Sequence, residues 1–239
     1  MELSKRLTAV ADMVSKGNVV CDVGCDHGYV SIYLVRERIS PRVIAMDVRK
    51  GPLAQAKEHI RMYGLEEYIE TRLSDGVDAL SVGEADTLIL AGMGGRLMEG
   101  ILTRGMEKVT RMKELILQPQ SEIAAFRKFL RETGFKITSE DMVFEDGKFY
   151  PMMRVVPRKQ GAVVETDEQE LEDLYGGLLL EQKHPVLFQY LNYQKEKLTQ
   201  LLQDLTAASG VSEKSKKRVE EVKRELLRNK SARERYENR

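Results

Sequence analysis

The chain has 239 residues, a formal net charge of zero at neutral pH and an apolar fraction of 42%. This apolar content supports a folded core and excludes a disordered chain, while the charge balance argues against a strongly basic nucleic-acid binder. No segment has the apolar core of a signal peptide or the roughly 20 apolar residues of a membrane span, so we expect a soluble, cytoplasmic protein. The two cysteines, Cys21 and Cys25, lack the spacing of a zinc site or a disulfide framework, and we expect no metal.

Short apolar runs alternate with helical patterns over residues 1–157. The predicted strands are 19–23, 43–46, 68–72, 87–91 and 115–117. The predicted helices are 29–37, 50–63, 96–108 and 121–133. This alternation indicates a parallel sheet with helices on both faces. Two further runs flank a turn and predict an edge strand pair at 135–139 and 150–156. Together they predict a Rossmann-like, doubly wound α/β domain with a mostly parallel sheet of seven strands.

The strand patterns stop after Pro157, and the polar stretch 158–166 indicates a domain boundary. Residues 158–239 are predicted to form an all-α domain. One apolar stripe has heptad spacing and consists of Leu191, Leu198 and Leu205, with Leu201 and Leu202 between them. A second stripe consists of Val219, Val222, Leu226 and Leu227. A break at Ala207–Gly210, followed by Ser212 as an N-cap, predicts two antiparallel helices in a coiled-coil hairpin.

The second of these helices is predicted to begin with a basic segment. Its densest cations are Lys214, Lys216, Lys217, Arg218, Lys223 and Arg224. Such a cluster is either the solvated face of a helical hairpin or a surface that binds nucleic-acid phosphates. The sequence leaves both interpretations open.

The strongest motif follows the first predicted strand and reads Asp22-Val-Gly-Cys-Asp-His-Gly-Tyr29. Gly24 allows the backbone to approach a ligand closely, but the motif is neither the dinucleotide-binding glycine pattern nor a P-loop. The carboxylates of Asp22 and Asp26 would repel a pyrophosphate and suit a cation. S-adenosylmethionine (AdoMet) carries a sulfonium and an α-ammonium group and therefore fits this loop. The alternative is a glycine turn that binds nothing.

Polar loops follow the second and third predicted strands as well. Asp47 and Val48 end the second strand, where a carboxylate can accept hydrogen bonds from both ribose hydroxyls of the cofactor. The third strand is followed by Ser74, Asp75 and Gly76, where the aspartate can accept from the adenine amine. A lone aspartate at a strand end is common turn chemistry. Several in register at the shared carboxyl edge of parallel strands instead predict one cofactor crevice.

The fourth predicted strand leads into a glycine-rich loop formed by Ala91, Gly92, Met93 and Gly94. In this fold class the loop faces the methyl group and its acceptor. The loop lacks the Asn/Asp-Pro-Pro-Tyr/Phe sequence of methyltransferases that act on the amino group of DNA adenine. No cysteine follows a proline, which argues against cytosine C5 chemistry.

These motifs together resemble the bacterial tRNA (adenine-22, N1)-methyltransferases. The resemblance covers nearly the whole chain and also includes Leu3–Leu7, Leu117–Ser121 and Tyr175–Pro185. The family would have Gly-Pro in place of Gly176-Gly177, a departure outside the cofactor motifs. The resemblance implies methyl transfer from AdoMet to N1 of an adenine in the D-arm region of tRNA. Because N1 lies on the pairing edge, the base must be unpaired or extruded.

The resemblance also implies roles for individual side chains. Asp26 is expected to accept a hydrogen bond from the adenine N6 amine and to stabilise the positive charge of the product. His27 and Tyr29 are expected to bond to the base or stack on it, although His27 has a purely structural role as its alternative. Arg6 and Arg96 are expected to contact RNA or the cofactor carboxylate.

The helical domain, residues 158–239, is expected to recognise the shape of tRNA through its backbone. A dimerisation arm is the alternative, and the oligomeric state stays open with a monomer favoured. Two other functions compete with tRNA methylation. One is AdoMet-dependent methylation of another RNA or a small molecule, and the other is an inactive tRNA-binding module. The intact cofactor loops argue against the inactive module.

Overall fold

The computed structural model describes residues 2–158, 168–207 and 213–237. The chain divides into two compact units, Met1–Val164 and Glu165–Arg239. The division lies inside the polar stretch 158–166, in which the sequence analysis places a boundary.

A seven-stranded sheet forms the centre of the first unit. Its strands are β1 (Val20–Val23), β2 (Val43–Asp47), β3 (Ile69–Leu73), β4 (Thr87–Gly94), β5 (Glu114–Ser121), β6 (Phe135–Glu145) and β7 (Lys148–Pro157). They lie in the order β3-β2-β1-β4-β5-β7-β6. Strands β1 to β5 pair in parallel, while β7 is antiparallel to both β5 and β6. The predicted mostly parallel, doubly wound sheet of seven strands is therefore confirmed.

Strands β1 and β2 are buried along their whole length, which explains their continuous apolar runs. Every residue of β1 and of β2 is buried. Helices cover both faces of a parallel sheet, so such strands have no solvent side. One core, on one face, includes Leu88, Leu90 and Phe126, and the other includes Ile32 and Ile89.

The first unit contains six helices within its described residues. They are α1 (Lys5–Asp12), α2 (Tyr29–Arg36), α3 (Lys50–Met62), α4 (Gly95–Arg104), α5 (Met106–Val109) and α6 (Ile123–Glu132). The single helix predicted over 96–108 is two helices, because Gly105 lies between α4 and α5. The predicted edge pair is longer than expected, and β6 and β7 meet at a tight turn formed by Asp146 and Gly147, both with positive φ. Pro151 pairs only with β6, beyond the part of β7 that pairs with β5, so its missing N–H interrupts no ladder there.

The described residues of the second unit form four helices joined by short connections. Its helices are α7 (Gln169–Tyr175), α8 (Gly177–Glu181), α9 (Pro185–Ala207) and α10 (Glu213–Glu237). Helices α9 and α10 run antiparallel, as two cross-contacts show. The Tyr236 hydroxyl donates to the His184 carbonyl (3.1 Å), and the buried Asn229 amide donates to the Leu191 carbonyl (2.9 Å). The predicted antiparallel pair is present, while its coiled-coil geometry stays a prediction.

The two predicted apolar stripes are buried only in part. Leu191, Leu198 and Val222 are buried, whereas Leu227 is 64% exposed. The assignment of Leu227 to the packed stripe is wrong. At 100° per residue this side chain lies about 140° around the helix from Val222. The predicted break at 208–210 and the N-cap at Ser212 lie outside the described residues. No described helix combines the length and the apolar character needed to cross a membrane.

The difference between Leu191 and Leu227 predicts unequal effects of one substitution. Leu191→Ala is expected to lower the free energy of unfolding by about 2–5 kcal/mol, because it leaves a cavity at a fully buried position of α9. Leu227→Ala is expected to change it by no more than about 0.5 kcal/mol. Urea denaturation monitored by far-UV circular dichroism measures the free energy of unfolding of both variants. Equal losses in the two variants would contradict the packing of α10 described here.

Candidate active site

A cavity of about 330 Å³ opens at the carboxyl edge of the sheet, where β1, β2, β4 and β5 end. Its lining combines three carboxylates, two guanidinium groups and two aromatic rings. The lining residues are Arg6, Leu7, Asp22, Gly24, Cys25, Asp26, His27, Tyr29, Val30, Asp47, Arg49, Ala91, Gly92, Met93 and Gln120. The structure thus brings together most of the residues that the sequence predicts for the site.

The loop between β1 and α2 is fixed by backbone hydrogen bonds. The N–H groups of Gly24 and Cys25 both donate to the carbonyl of Met46 at the end of β2, at 2.8 and 3.0 Å. A Cβ atom on Gly24 would lie 2.4 Å from the Met93 side chain, so the loop after β1 approaches the end of β4 closely there. Asp26 has a φ of +48°, a left-handed conformation that is uncommon for non-glycine residues but that aspartate and asparagine adopt more readily than most.

Asp22 lies beneath this loop and is almost fully buried. Its Oδ2 atom accepts a 2.7 Å hydrogen bond from the hydroxyl of Ser31 in α2. Burial raises the pKa of Asp22 to about 6, and the neighbouring charge of Asp47 adds to the rise against the effect of Ser31. Burial disfavours the charged form of this carboxylate, and a cation placed in the cavity would strongly stabilise that form.

Asp47 ends β2 with one carboxylate oxygen already engaged. Its Oδ1 atom accepts a 2.8 Å hydrogen bond from the backbone N–H of Arg49. The Arg49 guanidinium lies 3.8 Å from the same oxygen and also lines the cavity. The sequence analysis missed Arg49, although its position two residues after Asp47 is a usable signal.

Helix α1 brings Arg6 into the cavity. The carboxylate of Glu145, at the end of β6, accepts hydrogen bonds from the first backbone N–H groups of α1, at Lys5 (2.6 Å) and Arg6 (3.3 Å). The Arg6 guanidinium donates to the side chain of Gln118 (3.0 Å), which also accepts from the N–H of Gly92 (3.2 Å). The fully buried Gln118 therefore links α1 to the end of β4.

Three aromatic rings surround the predicted catalytic loop. The rings of His27 and Tyr29 lie 5.4 Å apart with an angle of 20° between their planes. His59, on α3, lies near both of them and was missed by the sequence analysis. The side chains of Asp26 and His27 are 58% and 38% exposed and lie 3.7 Å apart, so both are accessible from solvent.

Some predicted site residues do not line this cavity. Ser74 is buried, and its hydroxyl donates to the Gly76 carbonyl (2.9 Å) and accepts from the N–H of Ala79 (3.0 Å), which is local turn chemistry. The exposed carboxylate of Asp75 pairs with Arg104 at 3.0 Å. Val48 is 60% exposed.

Arg96 and Gly94 also lie outside the lining. Gly94 caps α4, and the Arg96 guanidinium pairs with Glu122 at 2.6 Å while remaining largely exposed. Burial raises the pKa of the Cys25 thiol in the cavity, so that it stays protonated and is no nucleophile. Within residues 2–158, 168–207 and 213–237, no group of three His, Cys, Asp or Glu side chains is placed to hold a metal ion.

The chain matches the family model of the methyltransferase domain over residues 3–153. It is also 30% identical over 230 residues to the tRNA (adenine(22)-N(1))-methyltransferase of Bacillus subtilis (strain 168), covering 95% of this chain and 96% of that protein. The chain belongs to the tRNA (adenine(22)-N(1))-methyltransferase family. The family assignment accounts for the cofactor loops and makes the protein an AdoMet-dependent methyltransferase.

Two solved structures agree with this assignment. An uncharacterized protein of Listeria monocytogenes serotype 4b has a TM-score of 0.90 and 28% identity, covering 97% of this chain and 99% of that one. Protein Sp1610 of Streptococcus pneumoniae, in complex with S-adenosyl-L-methionine, has a TM-score of 0.83 and 30% identity, covering 97% and 100% of the two chains.

The cavity fits AdoMet on its own chemistry. Gly24 leaves space that any other side chain would fill, and the buried Asp22 is a carboxylate that a cation stabilises. Asp47 keeps one oxygen that accepts no hydrogen bond from Arg49. These features match the sulfonium, ammonium and hydroxyl groups of the cofactor.

AdoMet affinity is expected to fall as the pH drops below about 6. Burial raises the pKa of Asp22 to about 6, and a bound cation beside the carboxylate lowers it again. Below that pH the cofactor must displace a proton, so Kd rises by up to about tenfold per pH unit. Isothermal titration calorimetry between pH 5 and pH 8 measures the slope. Asp22→Asn serves as the control and should bind weakly with no such slope, and an unchanged slope in this variant would assign the titration to another group.

Proposed function

We propose that the protein transfers the methyl group of AdoMet to N1 of adenine 22 of tRNA, acting as a cytoplasmic monomer. The observation that carries this proposal is that the similarity to the family extends over both units of the chain. A cofactor domain shared with enzymes of other substrates would not require similarity in the helical unit.

The cofactor roles follow from the charges in the cavity. AdoMet supplies a methyl group on a sulfonium sulfur. The Asp22 carboxylate offsets the positive charge of the cofactor, and the free oxygen of Asp47 accepts from the ribose hydroxyls. Arg6, held by Gln118, provides a cation for the cofactor carboxylate. Ala91, Gly92 and Met93 form the wall opposite the loop of Gly24.

The residues after β3 are proposed to bind the adenine of the cofactor. Asp75 is proposed to accept from the adenine amine of the cofactor, with Ser74 and Gly76 shaping the turn around it. In the structure the Asp75 carboxylate pairs with Arg104, so cofactor binding would exchange this exposed ion pair for a hydrogen bond. An exposed pair of this kind is worth little, and its loss costs little.

The target adenine is proposed to enter beside Asp26, His27 and Tyr29. Attack of N1 on the methyl group places positive charge on the base, and a carboxylate near the N6 amine stabilises that charge. Asp26 is the exposed carboxylate at this side of the cavity, and the Tyr29 ring is 38% exposed for stacking on the base. Holding the base in line with the methyl group accounts for much of the rate enhancement.

The helical unit is proposed to bind the tRNA backbone through the start of α10. Lys214 and Lys217 are exposed and form no ion pair within the described part of the chain. Lys216 instead pairs with Glu213, and Arg218 pairs with Glu221. The two unpaired lysines are therefore the better candidates for phosphate contacts.

Incubation with labelled AdoMet and total tRNA, followed by nucleoside mapping, tests the proposed function. N1-methyladenosine is the expected product, and a tRNA transcript with guanine at position 22 should give none. Binding of AdoMet without methylation of any RNA would contradict the substrate assignment and leave the cofactor assignment intact. A mass that increases with protein concentration, together with full tRNA methylation after deletion of 160–239, would favour a dimerisation arm.

A further inference from the structure

His59 is connected to the predicted catalytic loop by a hydrogen bond. Its Nδ1 atom lies 2.9 Å from the carbonyl oxygen of His27. Because a carbonyl oxygen only accepts, Nδ1 must carry the proton. The bond therefore fixes the neutral tautomer of His59, with Nε2 unprotonated, and it persists when the ring is protonated.

The ring of His59 also packs against two side chains that line the cavity. Its centroid lies 5.2 Å from that of Tyr29, with 15° between the planes, and 5.8 Å from that of His27, with 27° between the planes. His59 itself does not line the cavity. It contacts the residues on either side of Gly28 and so supports the loop from outside the cavity.

Helix α3 supports the same loop one turn earlier. Gly28 has a φ of +75°, and a Cβ atom there would lie 3.2 Å from the Cβ atom of Ala56. Ala56 and His59 are three residues apart and so lie on one face of α3. The loop therefore rests on α3 at two consecutive points, a small side chain below Gly28 and the His59 ring below His27 and Tyr29.

Asp26 depends on this support, because it has the left-handed φ of +48° and its own side chain is exposed. Because this conformation is uncommon outside glycine, contacts that hold the adjoining residues favour it. We propose that His59 is a positioning residue for methyl transfer, which holds the segment Asp26–Tyr29 chiefly through its Nδ1–H bond, with a smaller contribution from its ring. The inference rests on the proposed function and adds a residue that lies outside the cavity.

Two substitutions separate the hydrogen bond from the ring. His59→Asn retains a donor at the position of Nδ1 and removes the ring, whereas His59→Phe retains a ring and removes the donor. We expect His59→Phe to lower kcat about tenfold or more while its KM for AdoMet stays within about twofold, because misplaced reacting groups slow the chemical step. His59→Asn should recover kcat to within about threefold of the wild type. Glu58→Ala, at an exposed neighbour on α3, is the matched control and should leave kcat unchanged.

Wild-type kcat in both His59 variants would overturn the proposal. Parallel losses of kcat and AdoMet affinity in His59→Phe would also overturn it, because they would assign His59 to the cofactor site. A two-bond ¹H–¹⁵N spectrum of the wild-type protein tests the bond without any substitution. It should show His59 as the Nδ1–H tautomer, and an Nε2–H tautomer would overturn the proposal. A wild type that methylates no tRNA would contradict the proposed function, while this spectrum would still test the bond.

Discussion

The backbone between β1 and α2 has to reverse direction above a buried carboxylate, and the geometry of the site depends on that turn. Three residues of the turn, Gly24, Asp26 and Gly28, have positive φ. The carbonyl of Met46 anchors its start, and the contact of Gly28 with Ala56 anchors its end. As a result Asp22 lies buried below the turn and Asp26 lies exposed above it. The same few residues thus hold two carboxylates, one that we propose binds the cofactor and one that we propose contacts the substrate base.

Charge explains why such a cavity suits AdoMet rather than a dinucleotide. Three carboxylates and two guanidinium groups line it, which matches a cofactor with two cationic groups and one carboxylate. Dinucleotide-binding proteins place the pyrophosphate at a helix N-terminus. In this cavity a pyrophosphate would instead be repelled by the carboxylates of Asp22 and Asp26. The balance also depends on α1, because this helix carries Arg6 and its first N–H groups donate to Glu145.

The sheet and the carboxylates of Asp22 and Asp47 in the cavity were predictable because their signals are local. Buried parallel strands have continuous apolar runs, and Asp22 and Asp47 lie at strand ends that share one edge. Arg6 was predicted only through the family resemblance, since its position depends on contacts between residues about 140 apart in the chain, which no local pattern shows. His59 has the pattern of an ordinary half-buried helix residue, and only the folded loop shows its partners. Leu227 shows the opposite error, because an apolar residue in a helical pattern is not necessarily a packed one.

The division of the loop between cofactor and substrate is tested most directly by Asp26→Asn. Asparagine tolerates a positive φ, so the turn is retained while the charge is removed. AdoMet affinity measured by calorimetry should stay within about tenfold of the wild type, which is about 1.4 kcal/mol. Turnover on tRNA should fall about 100-fold or more, because the carboxylate beside the base is lost. Loss of AdoMet binding in parallel with turnover would contradict the account and assign Asp26 to the cofactor.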